Sequence, residues 1–204
     1  MPDACVDLIW SGEQLRIAGP DTIARVVKLA PGSRLVGVRL RPGAAGVALG
    51  LPASELRDAS PAAADVLGRD VAAALLDELA AGSDPHALLR RAMRLRGVAE
   101  PDPLVRAAVT ALGRPRVRVA EVAAELGVSG RQLQRRVCEA VGYGPKMLAR
   151  VLRLRRLQAL GPAPLAELAL DAGYADQAHM TAEVTRLACI SPVRFLKDRT
   201  PTAA

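Results

Sequence analysis

Half of the 204 residues are hydrophobic, so the chain can bury a core as one large domain or two small ones. No run of about 18 uncharged apolar residues marks a membrane span. The formal net charge of +7 is unevenly spread: residues 1–97 hold 12 basic and 11 acidic side chains, net +1, while residues 98–204 hold 16 and 10, net +6. A basic half joined to a neutral half points to a polyanionic partner for the basic one, although with only three lysines among 28 basic residues the arginine excess also fits a GC-biased coding sequence.

The opening Met1-Pro2-Asp3-Ala4-Cys5 has no basic stretch and no long apolar run, so a signal peptide is not expected and a cytoplasmic protein is. The first elements read as β. Cys5 to Trp10 is a short apolar strand, Ser11-Gly12-Glu13-Gln14 a turn, and Leu15 to Ala18 a second strand. Ala24 to Leu29 and Leu35 to Leu40 are rich in β-branched residues and are expected as two further strands, and Arg41 to Gly46 closes the β region.

From Pro52 the period becomes helical. A short helix is expected over 52–58. Another is expected over 70–81, with Val71, Ala74, Leu75 and Leu79 on one face, and a third from Asp84-Pro85 to about Gly97. The segment 98–102 combines proline with acidic residues and coincides with the charge shift, which marks a linker between a 1–97 domain and a 103–199 domain, followed by a tail over 200–204. Asp102-Pro103 fits an N-cap and first turn for a helix to Leu112.

An internal repeat is the most informative feature. Ala120-Glu121-Val122-Ala123-Ala124-Glu125-Leu126-Gly127-Val128-Ser129 recurs 46 residues later as Ala166-Glu167-Leu168-Ala169-Leu170-Asp171-Ala172-Gly173-Tyr174-Ala175. Each copy is an apolar-periodic helix, a glycine for the tight turn, an apolar plug and a second helix, the pattern of a helix-turn-helix. Such a motif lays its second helix in the major groove of DNA. In the first copy that helix is Gly130 to Glu139, with Leu133, Val137 and the following Ala140 expected inward and Arg131, Gln132, Gln134, Arg135 and Arg136 outward. Arginine pairs bidentately with guanine and glutamine with adenine, so these side chains suit base reading; the alternative is a solvated basic face.

In the second copy the helix is Asp176 to Leu187. Asp176 is the expected N-cap, Met180 and Val184 face inward, and Gln177, Ala178, Thr181, Ala182 and Arg186 face outward. His179 is either a phosphate contact or a histidine accommodated beside the core. Between the copies, Pro145 to Leu160 forms a helix of about 15 residues and about 22 Å, able to hold two recognition helices near one DNA turn, roughly 34 Å, apart. Arg150, Arg153, Arg155 and Arg156 surround its apolar face, and some are expected to meet phosphates.

These residues resemble the AraC/XylS family of bacterial transcription regulators. The likeness runs over about residues 103–199, in Gly142-Tyr143-Gly144-Pro145-Lys146, in Ala172 to Thr181 and in Ser191-Pro192-Val193-Arg194-Phe195. It implies base-reading positions at Arg131, Gln134 and Arg135 in the first recognition helix and at Gln177, Ala178 and Ala182 in the second. The chain departs from the pattern at Ala182, where arginine is usual, at Val184, where phenylalanine is, and at Cys189-Ile190, where glycine and a smaller apolar residue are common. The first helix is therefore expected to dominate specificity.

The N-terminal half more loosely resembles a sensor domain of one branch of the family, in Pro2 to Trp10, Ala18 to Thr22 and Gly37 to Ala45. The family version has further strands before this point, so either a naturally short form or a start at the wrong methionine is expected. Trp10 and Arg39 belong either to an effector site or to the core and a solvated strand.

The overall expectation is an α+β chain: a small antiparallel β-sheet with following helices, then an all-α domain of two helix-turn-helix units joined by a long helix. The expected function is a sequence-specific DNA-binding regulator. The alternative is a protein-interaction modulator that pairs with a full-length regulator and binds DNA weakly. Double-stranded DNA is the expected partner. RNA polymerase, an unidentified small-molecule effector and a second copy of the chain, held through the N-terminal strands or the helices at 61–95, are further candidates.

No enzyme, metal or cofactor is expected. The two histidines lie in different halves, no GxSxG or phosphate loop occurs, and Cys5, Cys138 and Cys189 share no metal spacing. Some DNA-repair methyl acceptors join a cysteine-bearing domain to this kind of DNA-binding unit, and Cys5 is the one candidate for that role.

Overall fold

The computed structural model describes residues 1–96 and 100–197. Residues 97–99 and 198–204, which take in the start of the expected linker and all of the expected tail, lie outside the described residues.

Three short strands, β1 (Val6–Trp10), β2 (Leu15–Ala18) and β3 (Val36–Leu40), form an antiparallel sheet in the order β2-β1-β3. Leu8 of β1 sits opposite Ile17 on one side and Val38 on the other. The period-2 alternation turns Val6, Leu8, Leu15, Ile17 and Leu40 inward, while Asp7, Arg16 and Arg39 face out. The inner face is covered by α1 (Ala45–Leu49), a single 3₁₀ turn (Ala53–Leu56), α2 (Ala63–Leu67), α3 (Arg69–Ala80) and α4 (Pro85–Arg96). Leu49, Leu56, Leu67, Leu75, Leu79 and Leu89 fill the core between them.

Four local expectations are corrected. Residues 24–29 are not a strand: β3 takes the place beside β1, and the Ala24 N–H donates instead to the Leu187 carbonyl in the C-terminal half at 2.7 Å. Val26 and Val27 are left 94% and 72% exposed, so β propensity without a partner strand produced no strand. The inward face of α3 is Ala72, Leu75 and Leu79, with Val71 and Ala74 outside, because alanine on all sides leaves the leucines to choose the stripe. The expected 52–58 helix is the 3₁₀ turn, and α1 occupies the end of the segment expected to close the β region.

The C-terminal half is all helical: α5 (Pro103–Leu112), α6 (Val119–Glu125), α7 (Gly130–Val141), α8 (Pro145–Ala159), α9 (Leu165–Ala172), α10 (Gln177–Ala188) and α11 (Pro192–Lys197). Two cores divide it. Val105, Ala108, Leu112, Val122, Leu133 and Val137 close the first around α5 to α7 and the front of α8. Leu157, Leu168, Tyr174, Met180, Val184 and Phe195 close the second around the rear of α8 and α9 to α11. Met147 on α8 packs against both, which makes that helix the shared wall.

The halves touch. Ala4 is buried in the first C-terminal core, Asp3 offers its carbonyl to Arg155 at 3.3 Å, and Pro20 and Ala53 rest on the C-terminal end of α7 at Gly142.

Candidate nucleic-acid interface

Both repeats fold as helix-turn-helix motifs. Gly127 and Gly173 take φ of +65° and +92° in the two turns, a region that L side chains avoid. The next residues, Val128 and Tyr174, return their N–H groups to the Ala123 and Ala169 carbonyls at 3.0 and 2.8 Å. Ala123 and Ala169 are themselves buried where the helices cross.

The first recognition helix, α7, begins at a reciprocal cap. Ser129 Oγ accepts from the Gln132 N–H at 3.2 Å, and Gln132 Oε1 accepts from the Ser129 N–H at 2.9 Å. Leu133 and Val137 are fully buried, which leaves Arg131, Gln134 and Arg135 on the open side. With Gln132, these three line one recess. Arg131 and Arg135 have no protein partner among the described residues, and Gln134 lies against Gly144 at the start of α8. Arg136 is placed differently: its Nε and Nη2 donate to the two Asp102 carboxylate oxygens at 2.7 and 2.6 Å. Asp102 also accepts from the Leu104 N–H as N-cap of α5. Of the five outward residues in the first copy, Gln132 thus caps the helix and Arg136 clamps it, while Arg131, Gln134 and Arg135 stay available.

The second recognition helix, α10, has Asp176 as N-cap, accepting from the His179 N–H at 2.7 Å. Met180, Val184 and Leu187 are buried, and Gln177, Ala178, Thr181, Ala182 and Arg186 are exposed, as is Thr185 on the same face. Thr181 turns its hydroxyl back to the Gln177 carbonyl at 2.8 Å. His179 Nδ1 accepts from the Ala175 N–H at 3.2 Å, and its ring meets Tyr174 edge-on, so it is held by the protein beside the core. Cys189, at the glycine position of the family pattern, closes α10 with φ of +58°.

The arginines of α8 also have protein partners. Arg150 and Arg153 bind Glu183 of α10, Arg155 reaches the Asp3 carbonyl, and Arg156 reaches the Ala172 carbonyl at 3.3 Å. Nothing in the sequence repeat singles out Glu183; helical spacing from Met180 and Val184 is the signal that would have placed it inward.

In the N-terminal half, Arg39 pairs with Asp7 at 2.9 Å and Asp3 at 3.1 Å on the outer face of the sheet, and Trp10 packs half-buried at the edge of the core. Cys5 is buried, and desolvation together with the Asp3 carboxylate pushes its thiol up to about 12. A nucleophilic cysteine needs the opposite environment. Among the described residues no cluster of potential metal ligands occurs and no helix is long and apolar enough to cross a membrane.

Residues 122–198 match the family model of a helix-turn-helix domain, and residues 1–61 match that of a domain of unknown function, DUF6597. No curated protein matches the chain significantly. Among solved structures, an apo variant of ToxT from Vibrio cholerae strain SCE256 aligns over 96% of this chain and 86% of its own, at 13% identity and a TM-score of 0.50. That likeness shows a shared fold. The C-terminal domain of AraT, a response regulator from Geobacillus stearothermophilus, aligns over 50% of this chain and 93% of its own, at 21% identity and a TM-score of 0.45. The family match over residues 122–198 and the fold of α6 to α11 therefore agree that the C-terminal half carries a helix-turn-helix domain.

Proposed function

We propose that the protein is a sequence-specific transcription regulator that reads two successive major-groove segments of double-stranded DNA, chiefly through α7. One observation carries this reading: Arg131, Gln134 and Arg135 stand on the open side of α7 without ion pairs or hydrogen bonds among the described residues, whereas the matching face of α10 offers Gln177, Ala178, Thr181 and Ala182. Long donors reach base edges in the major groove and alanine does not. Gln132 joins them only through its amide nitrogen, since its oxygen serves the cap. Arg186 and the basic surplus of this half add affinity without sequence information. A regulator of this kind works in the cytoplasm.

Footprinting on the chain's own upstream region tests the reading. Two protected segments about 10 base pairs apart on one side of the duplex are expected, with the stronger protection at one of them. Uniform weak protection that vanishes with competitor DNA would reject it. The alanines of α10 favour a second reading, a modulator that pairs with a larger regulator and binds DNA weakly. That reading predicts no protection by the protein alone, and a footprint of the larger regulator that changes when this chain is added.

A further inference from the structure

Glu183 lies in the middle of α10 and is 7% exposed, the one buried charged residue among those described. Both of its oxygens are taken by α8, the linker helix between the two motifs. Arg150 Nε donates to Oε2 at 3.0 Å and Arg153 Nη1 to Oε1 at 3.1 Å, while His179 Nε2 stands 3.8 Å from Oε2. The Arg153 guanidinium also lies 5.2 Å from the centre of the Tyr174 ring. One turn further along α8, Arg156 holds the carbonyl of Ala172, the last residue of α9. Arg150, Arg153 and Arg156 recur every third residue, so a single row on α8 grips both helices of the second motif.

A buried ion cluster contributes little net stability, because the desolvation of its charges roughly cancels their attraction, and apolar side chains of similar volume often serve as well. Directionality is what apolar packing lacks. Two guanidinium-to-carboxylate bonds from successive turns of one helix are satisfied at only one rotation of the facing helix. The apolar side chains that α10 buries beside Glu183 are Met180, Val184 and Leu187, whose contacts carry no directional bond to fix a rotation.

We propose that Glu183, gripped by Arg150 and Arg153, is the positioning group that sets the rotation of α10 on α8, and with it the register at which the second motif meets DNA relative to the first. The inference rests on the proposed reading of two coordinated motifs. It gives the linker arginines a role inside the protein instead of at phosphates. Glu183 touches no base; it acts through the orientation of Gln177 and its neighbours.

The test uses the full chain and a site selected from random DNA with the wild-type protein, together with versions of that site in which one or two base pairs are added or removed between the halves. Wild type is expected to lose about tenfold or more in affinity on respaced DNA. The triple variant Arg150→Met, Arg153→Met, Glu183→Leu is expected to melt no lower than wild type, yet to bind native and respaced sites within about threefold of each other. Its salt slope should match that of wild type, since no phosphate contact is removed.

The proposal is overturned if the folded triple variant keeps the wild-type spacing preference. It is equally overturned if the slope falls by about one unit per arginine, the sign of phosphate contacts. Glu183→Gln, nearly isosteric, serves if the triple variant fails to fold: a weakened spacing preference supports the proposal, and an unchanged one rejects it. A wild-type protein that binds its selected site tightly at every spacing contradicts coordinated reading itself, a result separate from either variant outcome.

Discussion

Arg136 of the first recognition helix and Asp102 at the N-cap of α5 form a two-pronged ion pair, with N–O distances of 2.6 and 2.7 Å. One carboxylate thus does two things. It closes the first turn of α5 through the Leu104 N–H, and it ties α7, the helix proposed to read bases, to α5 at the start of the C-terminal half. The second motif reverses the arrangement: there the recognition helix supplies the acid, Glu183, and the linker helix supplies the arginines.

The two tasks of Asp102 separate by mutation. Asp102→Asn keeps a good N-cap and removes the charge facing Arg136, while Asp102→Ala removes both. We expect Asp102→Ala to lower stability by about 1–2 kcal/mol, mostly through the lost cap, and Asp102→Asn by less than half of that. Chemical denaturation of both variants checks this; equal losses would show that the cap is not what Asp102 contributes.

Unequal recognition helices predict unequal mutational costs. Arg135→Ala removes a donor capable of a bidentate base contact, worth about 1–3 kcal/mol of discrimination, and should relax the sequence preference at one position. Gln177→Ala should cost clearly less, because its neighbours Ala178 and Ala182 add no further contacts around it. Affinities of both variants for the selected site decide the matter, and equal losses would remove the asymmetry.

Cys189 closes α10 in the left-handed region, at φ of +58°. A residue with a Cβ there costs about 1 kcal/mol or more relative to glycine. Cys189→Gly is therefore expected to stabilise the protein by about 1 kcal/mol in a thermal or chemical melt, even though it removes a side chain. A destabilised variant would mean that the sulfur, 4.0 Å from the Ala24 carbonyl, contributes more than the backbone strain costs.

Alkaline pH should weaken the fold. Burial pushes the Cys5 thiol up to about 12 from an ordinary 9.0, and burial likewise raises the Tyr143 and Tyr174 hydroxyls above their ordinary 10.0. Between those limits the folded chain keeps protons that the unfolded chain releases, so stability is full below about pH 9 and falls as pH rises beyond it. The melting temperature should drop from pH 9 upward, and less so in Cys5→Ala. A flat profile to pH 10.5 would contradict the burial of these groups. In the same native protein, a thiol reagent at neutral pH should modify exposed Cys189 and leave Cys5 intact.

The two motifs were legible because their periodicity, turn glycines and caps are all local signals that agree with the fold. Leu133, Val137, Met180 and Val184 are all buried as their helical spacing requires, and Asp102 and Asp176 both cap their helices. Legibility fails where long-range partners decide. Nothing local in Ala24 to Leu29 says that β3 will pair with β1, or that Ala24 will bond to Leu187 across the chain. Arg136, Arg150 and Arg153 read as free cations because their partners, Asp102 and Glu183, lie about 30 residues away in sequence. An arginine's type is local, but its availability is a tertiary property.

The central claim, that this chain recognises a specific DNA sequence with α7 in the leading role, is tested most directly by one ratio: affinity for its selected site over affinity for random duplex of equal length, measured across a salt series. The account predicts a ratio of about 10³ or more at physiological salt, overall binding that weakens steeply as salt rises, and a ratio cut by about tenfold or more in Arg135→Ala. A ratio near one for the wild-type protein would contradict it.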